Sequence, residues 1–253
     1  MTAEDDTGRS AFAWPDGRKA AVSLSFDDGR PSQLDAGLPI LDGLGVKATF
    51  YVSIANVDRR LDAWRRAADN GHEIGNHTLS HPCSGNFPFS RDKALEEFTL
   101  GRMEADLLAA NEAIRRRLGV VPTTFAYPCG QTYVGRGEQT RSYVPLVARH
   151  FTVGRSAFNE THNDAAFCDL AQAFSLDGDC QPLPRLREMV DAAVDAAGWL
   201  ILMGHDVGTN GPRQVFRAAV LEALCRELLD PAREVWLDTV AAVGAYVRYR
   251  RGW

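Results

Sequence analysis

Short apolar runs alternate with longer amphipathic stretches along most of the chain. The short runs predict β-strands at residues 20–26, 47–52, 72–76, 123–127, 150–154, 199–204 and 234–238. The longer stretches carry apolar residues three and four positions apart, which is typical of helices with one buried face. They predict helices at residues 34–44, 60–70, 92–118, 142–149, 185–197, 213–229 and 239–250. Repeated βα units of this kind favour an α/β fold with a parallel sheet.

The predicted units form one continuous series. No linker rich in Pro, Gly or Ser separates them, so we expect one domain built as a closed or nearly closed parallel barrel. The segment 155–183 interrupts the pattern and is predicted to be a long polar loop. In a parallel barrel the loops that follow the strands converge over one face. Reactive side chains are therefore expected directly after the predicted strands.

The composition is that of an ordinary globular protein. The 253 residues are 45% hydrophobic and carry a formal net charge of -5, with acidic and basic residues interleaved. Because no basic stripe is present, we expect neither nucleic acid nor an anionic membrane as a partner. No apolar run reaches the roughly 20 residues that a membrane helix needs. The sequence leaves the oligomeric state open.

Cysteine usage and the first residues bear on the cellular compartment. The five cysteines are scattered without a CxxC spacing, and their odd number leaves a thiol unpaired, which favours a reducing compartment over a disulfide scaffold. The first ten residues lack the basic and apolar regions of a secretory signal. We therefore expect a cytoplasmic location, with export after removal of a signal as the alternative.

Carboxylates and histidines follow three of the predicted strands. These residues are Asp27 and Asp28 in SFDDG, His77 and His81 in GNHTLSHP, and His205 in LILMGHD. On a helical turn, residues four apart project from one face, so His77 and His81 are expected to converge on one ion. Two imidazoles and the carboxylate of Asp28 are typical ligands of a catalytic divalent metal.

The two remaining residues supply the proton transfers that a metal-dependent hydrolase needs. A divalent ion lowers the pKa of a bound water to about 7 and polarises a carbonyl group. We assign Asp27 as the general base and His205 as the acid that protonates the leaving group. Adjacent strand residues point to opposite faces, so both aspartates reach one site only if the strand ends there. Gly29 permits the sharp turn that this requires.

The motifs SFDDG, GHEIGNHTLSHP and LILMGHD, in this order between about residues 20 and 206, resemble the polysaccharide deacetylase family, the NodB-like carbohydrate esterases of the fourth class. The resemblance implies a metal-dependent N- or O-deacetylase. It also implies a distorted (β/α)7 barrel, which we place at residues 19–253 after an N-terminal extension at residues 1–18. The family's roles fall on the same five residues: base Asp27, metal ligands Asp28, His77 and His81, and acid His205.

The chain departs from the resembled family in two features. Where the family has an Arg-x-Pro-Tyr segment, this chain has AYPC, so the arginine that tethers the base is absent. The backbone N–H of Cys129 is then the candidate oxyanion donor, Tyr127 a candidate substrate contact and Arg155 a candidate substitute for the arginine. The family's Asp-and-Trp motif, which orients the acid histidine, is represented only by Asp177 or Asp179.

Other aromatic and cysteine side chains are assigned structural roles. Phe87, Phe89 and Trp64 are predicted to pack in the core rather than to contact a sugar. The thiol of Cys129 is predicted to be passive, because no histidine lies near it in the pattern of a thiol protease.

Three functions remain open. The first is a metal-dependent deacetylase of an acetylated saccharide, with Zn²⁺ as the default metal and Co²⁺ or Ni²⁺ as alternatives. The second keeps the site but hydrolyses a small amide, ureide or cyclic imide, and a panel of substrates separates it from the first. The third is a non-catalytic binding module that retains the metal, which an absence of hydrolysis on every acetyl ester would support.

Overall fold

A computed structural model of the protein describes residues 12–209, 211 and 213–253. Its strands are β1 (Ala20–Asp28), β2 (Thr49–Val52), β3 (Glu73–Asn76), β4 (Thr124–Ala126), β5 (Tyr133–Val134), β6 (Arg141–Ser142), β7 (Val153–Arg155), β8 (Leu176–Asp177), β9 (Trp199–Gly204), β10 (Asp206–Gly208), β11 (Val215–Arg217) and β12 (Val235–Leu237). Its α-helices are α1 (Leu38–Leu44), α2 (Ile54–Arg59), α3 (Leu61–Asp69), α4 (Leu100–Leu118), α5 (Val144–His150), α6 (Leu183–Asp195), α7 (Ala218–Leu228) and α8 (Val240–Arg251).

The main sheet is a parallel α/β sheet centred on β1. Its strands follow the order β7-β4-β3-β2-β1-β9-β8, and β12 pairs with the beginning of β1. Nearly every residue of β1 is buried, as expected for a central strand that is covered on both faces. The two edges of the sheet meet through a single bridge between Arg155 and Ala173. The predicted parallel barrel is confirmed, and its closure between β7 and β8 is incomplete.

The seven predicted strands are all present with small shifts at their ends, but several boundaries were wrong. The segment 155–183 contains β8, which pairs with β9 and is too short to show a periodic pattern. The helix predicted at residues 92–118 begins only at Leu100, because Thr99 caps it by accepting a hydrogen bond from the N–H of Arg102. The helix predicted at residues 213–229 begins at Ala218, because the residues before it form β11 against β10. Helix α2 was not predicted.

The residues assigned to the N-terminal extension are in part packed against the domain. Trp14 is 4% exposed, and its indole N–H donates a hydrogen bond to the carbonyl of Ala197 at 2.9 Å. The rings of Trp236 and Tyr246 lie beside it. Residues 1–11 lie outside the described part of the chain. None of the described helices combines the length and the apolar character that a membrane span requires.

The carboxyl ends of the central strands position the candidate site. β1 ends at Asp28, β3 is followed by His77, and β9 is followed by His205. β1 pairs directly with both β2 and β9, so the residues after these strands meet over one end of the sheet.

Candidate active site

One cleft collects the five residues that the motifs singled out. It has a volume of about 530 Å³ and is lined by Asp27, Asp28, His77, His81 and His205. Tyr127 and Cys129, the other two predicted site residues, line it as well. The structure therefore brings all seven predicted site residues together at one cleft.

Asp28, His77 and His81 form a cluster that could hold a metal ion. The Oδ1 atom of Asp28 lies 3.7 Å from Nε2 of His77 and 3.4 Å from Nε2 of His81. Tetrahedral ligands about 2.0 to 2.2 Å from one ion are roughly 3.4 Å apart, so these donors fit a common divalent ion. Burial and the charge of His77 lower the pKa of His81 to about 4, which keeps its imidazole neutral and able to bind a metal.

The two histidines do not converge through a helical turn, as predicted. The motif follows β3 as an irregular loop, with Thr78 at φ +63° and His81 at φ +51°. The side chain of Asn76 holds the loop by accepting a hydrogen bond from the N–H of Thr78 at 2.7 Å. Nδ1 of His77 donates to the carbonyl of Ala126 at 2.9 Å, which leaves Nε2 free for an ion.

The end of β1 explains how two adjacent aspartates reach one cleft. Asp28 has φ +72° and Gly29 φ +63°, so the extended alternation breaks at the second carboxylate. A side chain at Gly29 would also contact Val52, because an added Cβ would lie 3.2 Å from the Cβ of that valine. The left-handed turn predicted at Gly29 therefore begins one residue earlier, at Asp28.

Asp27 is buried and paired with a buried cation. The guanidinium of Arg155 donates a hydrogen bond to Oδ1 of Asp27, and its second nitrogen donates to the carbonyl of Ser156 at 3.2 Å. Burial would raise the pKa of Asp27, but the charges of Arg155, His77 and His205 outweigh it and lower the pKa to about 2. The carboxylate is therefore ionised at every pH near neutrality.

His205 is paired with a carboxylate. Its Nδ1 donates to Asp179 at 2.6 Å, and its backbone N–H donates to the same carboxylate at 3.1 Å. Burial would lower the pKa of His205, but the hydrogen bond that it donates to Asp179 and the charge of Asp27 raise that pKa above its usual value. Asp177 instead accepts a hydrogen bond from the N–H of Asp179 at 3.0 Å, so Asp179 is the partner of the histidine.

Cys129 offers a backbone donor at the floor of the cleft. It lies in a tight turn with φ +55°, and among the described residues its N–H has no hydrogen-bond partner within the protein. An unpaired N–H at such a position is suited to stabilise an oxyanion. Tyr127 is 1% exposed, and its hydroxyl donates to the carbonyl of Ala171 at 2.7 Å, so its phenol group is directed into the core.

Cys129 also forms a disulfide with Cys83. The cysteine spacing favoured a reducing compartment over a disulfide scaffold and gave no sign of this pair, because the fold brings together residues that lie 46 positions apart. The remaining described cysteines, Cys168, Cys180 and Cys225, are free. The sulfur of Cys83 lies 3.7 Å from Nδ1 of His81 and, within the disulfide, can only accept a hydrogen bond, which again leaves Nε2 for a metal.

Comparisons with known proteins identify the family. The polysaccharide deacetylase family model matches residues 15–143, slightly more than half of the chain. The chain belongs to the polysaccharide deacetylase family. An uncharacterized protein from Bacillus subtilis is 36% identical over 97 residues, which cover 38% of this chain and 27% of that protein. A peptidoglycan-N-acetylglucosamine deacetylase from Bacillus cereus is 30% identical over 143 residues, covering 52% of this chain and 47% of that protein.

The fold is also that of solved polysaccharide deacetylase structures. A Mycobacterium smegmatis structure, provisionally named a polysaccharide deacetylase, superposes with a TM-score of 0.70 at 19% identity, covering 96% of this chain and 95% of that chain. At this identity the likeness shows the fold alone. The chain spans less than half the length of either curated relative described above.

Within the polysaccharide deacetylase family, this chain departs from the usual base tether. The arginine missing from the AYPC segment after β4 has its counterpart in Arg155, the last residue of the neighbouring strand β7. The guanidinium of Arg155 reaches Asp27 from β7 and is fully buried. Its Cζ atom lies 5.0 Å from the centroid of the Tyr51 ring. The predicted substitute therefore makes the expected contact.

Sequence reasoning missed two residues that join the parts of the site. Arg30 donates to Oδ2 of Asp28 at 2.8 Å and to Asp206, the residue after His205, at 2.7 Å. Gln33 is buried, and its amide donates to the backbone carbonyl of Asp27 at 2.6 Å and to that of His205 at 2.9 Å. Both residues follow SFDDG directly, but nothing local in the sequence shows that β9 will lie beside them.

The prediction that three aromatic residues pack in the core holds for only one of them. Trp64 is fully buried against Phe50. Phe87 and Phe89 are instead exposed and line the cleft. Both residues precede the helix predicted at residues 92–118 and lie in a loop with 3-10 turns at Pro88–Lys93 and Leu95–Glu97.

Proposed function

We propose that this chain is a metal-dependent hydrolase that removes acetyl groups from a saccharide. One observation carries the proposal: a possible metal site, a carboxylate with a cationic partner and a histidine with an anionic partner line a single cleft. These are the parts that metal-assisted hydrolysis of an amide or ester requires. Family membership adds that a relative named as a deacetylase is 30% identical to this chain over 143 residues.

The side chains of the cleft assign each proton. Asp27, ionised next to Arg155, takes a proton from the attacking water as the water oxygen bonds to the acetyl carbon. The backbone N–H of Cys129 donates a hydrogen bond to the developing oxyanion. When the carbon–nitrogen or carbon–oxygen bond breaks, Nε2 of His205 transfers its proton to the amine or alcohol. The products are acetate and the deacetylated sugar.

Asp28, His77 and His81 are the proposed metal ligands. A divalent ion held by them would polarise the acetyl carbonyl and acidify water. We propose Zn²⁺, with Co²⁺ or Ni²⁺ as alternatives, because two imidazoles and one carboxylate suit all three ions. Elemental analysis of the purified protein, with Asp28→Ala as the control, identifies the ion.

The structure weakens one argument for a small amide or cyclic imide as substrate. That alternative drew support from the absence of an arginine tether, and Arg155 now supplies the contact. A non-catalytic module is also disfavoured, because the base, the acid and all three ligands are retained in one cleft.

The disulfide bears on the compartment. Disulfides persist in oxidising environments and are rare in the cytoplasm. The pairing of Cys83 with Cys129 therefore favours the exported alternative over the cytoplasmic one. Thiol titration of the unfolded, unreduced protein tests this: three free thiols support the disulfide, and five contradict it.

A panel of substrates tests the proposed reaction. We expect the metal-loaded protein to release acetate from N-acetylated or O-acetylated oligosaccharides, and Asp27→Asn to abolish the release while retaining the metal. Hydrolysis of small amides or cyclic imides without acetate release from any saccharide would replace the proposal with the second function. Metal binding without any hydrolysis would replace it with the third.

A further inference from the structure

Two phenylalanines lie exposed at the active-site cleft. Phe87 and Phe89 are 40% and 59% exposed, and their rings stack with centroids 5.4 Å apart. Both line the same cleft as Asp28 and His205. Clustered apolar side chains that remain in solvent beside a polar cleft are typical of a binding surface, since their burial in the core would be favourable.

The loop that carries these rings is held by its own hydrogen bonds. The hydroxyl of Ser90 accepts from the N–H of Cys83 at 2.8 Å and donates to the carbonyl of the same residue at 2.9 Å. Glu96 accepts from the hydroxyl of Ser84 at 2.5 Å. The disulfide between Cys83 and Cys129 joins this loop to the turn with the oxyanion donor. The loop is thus held by internal contacts before a ligand arrives, which lowers the entropic cost of binding.

We propose that Phe87 and Phe89 form an aromatic platform on which the apolar face of a sugar ring of the substrate stacks. The proposal rests on the saccharide deacetylase function proposed above. A pyranose ring exposes C–H groups on its faces, and these are attracted to the electron-rich face of a phenyl ring. The cleft, at about 530 Å³, is much larger than an acetyl group, so it has room for the ring that carries the acetyl group or a neighbouring ring.

A third phenylalanine lines the cleft from the loop after β7. Phe158 is 58% exposed, and its φ of +57° is unusual for an aromatic residue. Hydrogen bonds hold both sides of its loop: the hydroxyl of Ser156 donates to Asn159 at 2.7 Å, and the N–H of Asn159 donates to the carbonyl of Ser175 at 3.0 Å. These hydrogen bonds hold the backbone on both sides of Phe158, so a third apolar ring lines the cleft and is available to contact the same substrate.

Removing both rings of the platform tests the proposal. For the double variant Phe87→Ala/Phe89→Ala, we expect KM for an N-acetylglucosamine tetramer to rise about tenfold with little change in kcat. The rate of hydrolysis of an alkyl acetate, which lacks a sugar, should not change. The amount of bound metal should not change either. Phe87→Leu/Phe89→Leu keeps the surface apolar without aromatic rings and should also raise KM. Phe174→Ala, 40% exposed in another cleft, is the matched control.

A direct measurement of binding tests the platform even if the protein shows no turnover. Calorimetry measures the affinity of the deacetylated tetramer for the unmodified protein and the double alanine variant, with about tenfold weaker binding expected for the variant. Weaker binding without any turnover would support the platform and contradict the deacetylase function. Turnover with unchanged KM in the variant would overturn the platform alone. Loss of a dimer in the variant, seen by gel filtration, would make the patch a self-association surface and overturn the proposal.

Discussion

Asp27 and His205 lie at the ends of the neighbouring strands β1 and β9, yet their partners carry opposite charges. Asp27 is paired with the buried cation of Arg155, and His205 with the carboxylate of Asp179. The first partner keeps a carboxylate ionised, and the second raises the pKa of an imidazole, which favours its protonated form. Both partners lie within residues 155–183, which the sequence pattern presented as a polar loop.

The comparison shows which part of this protein controls the protonation of Asp27 and His205. The proposed base and acid lie at the ends of β1 and β9, but the partners that shift their pKa values both come from residues 155–183. The two pairs differ in how much stability depends on them. The Asp27–Arg155 pair is almost completely buried, so breaking it leaves a charge without a partner or solvent.

The largest expected effect comes from removing the cation of the first pair. Arg155→Met leaves Asp27 ionised and buried, so we expect the free energy of unfolding to fall by about 3 to 5 kcal/mol. Urea denaturation of the metal-free protein at neutral pH measures the loss. Arg155→Met combined with Asp27→Asn removes both charges and should recover most of the stability. A single variant as stable as the unmodified protein would show that the pair is not buried as described.

The second pair should affect the pH profile more than stability. Asp179→Asn removes the negative charge that raises the pKa of His205, so the imidazolium loses its proton at lower pH. We expect kcat/KM to fall about a hundredfold, with the alkaline limb of its pH profile moved to lower pH. Asp177→Asn is the matched control, since its side chain bonds the N–H of Asp179 rather than the histidine. An unmoved alkaline limb would contradict the assignment of His205 as the acid.

The sequence was sufficient to bring the proposed site residues together because each lies at the end of a strand or within a few positions after it. A strand pattern and the residues after it are local, so Asp27, His77 and His205 could be placed on one face before the fold was known. The sheet itself was also predictable, since buried parallel strands are continuous apolar runs. Short elements such as β8 and the 3-10 turns before α4 leave too few residues for a periodic pattern.

The partners could not be derived in the same way because they depend on tertiary contacts. Asp177 and Asp179 are equivalent in sequence, and only the turn after β8 decides which carboxylate reaches His205. The pairing of Cys83 with Cys129 requires that the loops after β3 and β4 meet, which cysteine spacing does not reveal.

A third prediction concerns the side chain that joins the two strand ends. Gln33 donates to the carbonyls of both Asp27 and His205, so Gln33→Leu leaves two buried acceptors unpaired and frees one strand end from the other. We expect kcat to fall about tenfold with KM nearly constant, because positioning rather than binding is lost. Gln33→Glu, which keeps the shape but replaces the donor by an acceptor, should be at least as impaired. Equal kcat in the leucine variant would show that the strands alone fix the spacing of base and acid.

The smallest expected effect comes from the arginine that joins the metal ligand to the residue after the acid. Arg30 binds Oδ2 of Asp28, which leaves Oδ1 directed at the two histidines. Arg30→Met should therefore weaken Zn²⁺ binding about tenfold, measured by competition with a chromophoric chelator, because partners of this kind orient the ligand. Arg60→Met, which breaks an exposed pair with Asp35 away from the cleft, is the matched control. If both variants bind Zn²⁺ as tightly as the unmodified protein, β1 alone orients Asp28. The contacts of Arg30 with Asp28 and Asp206 would then have no role in metal binding.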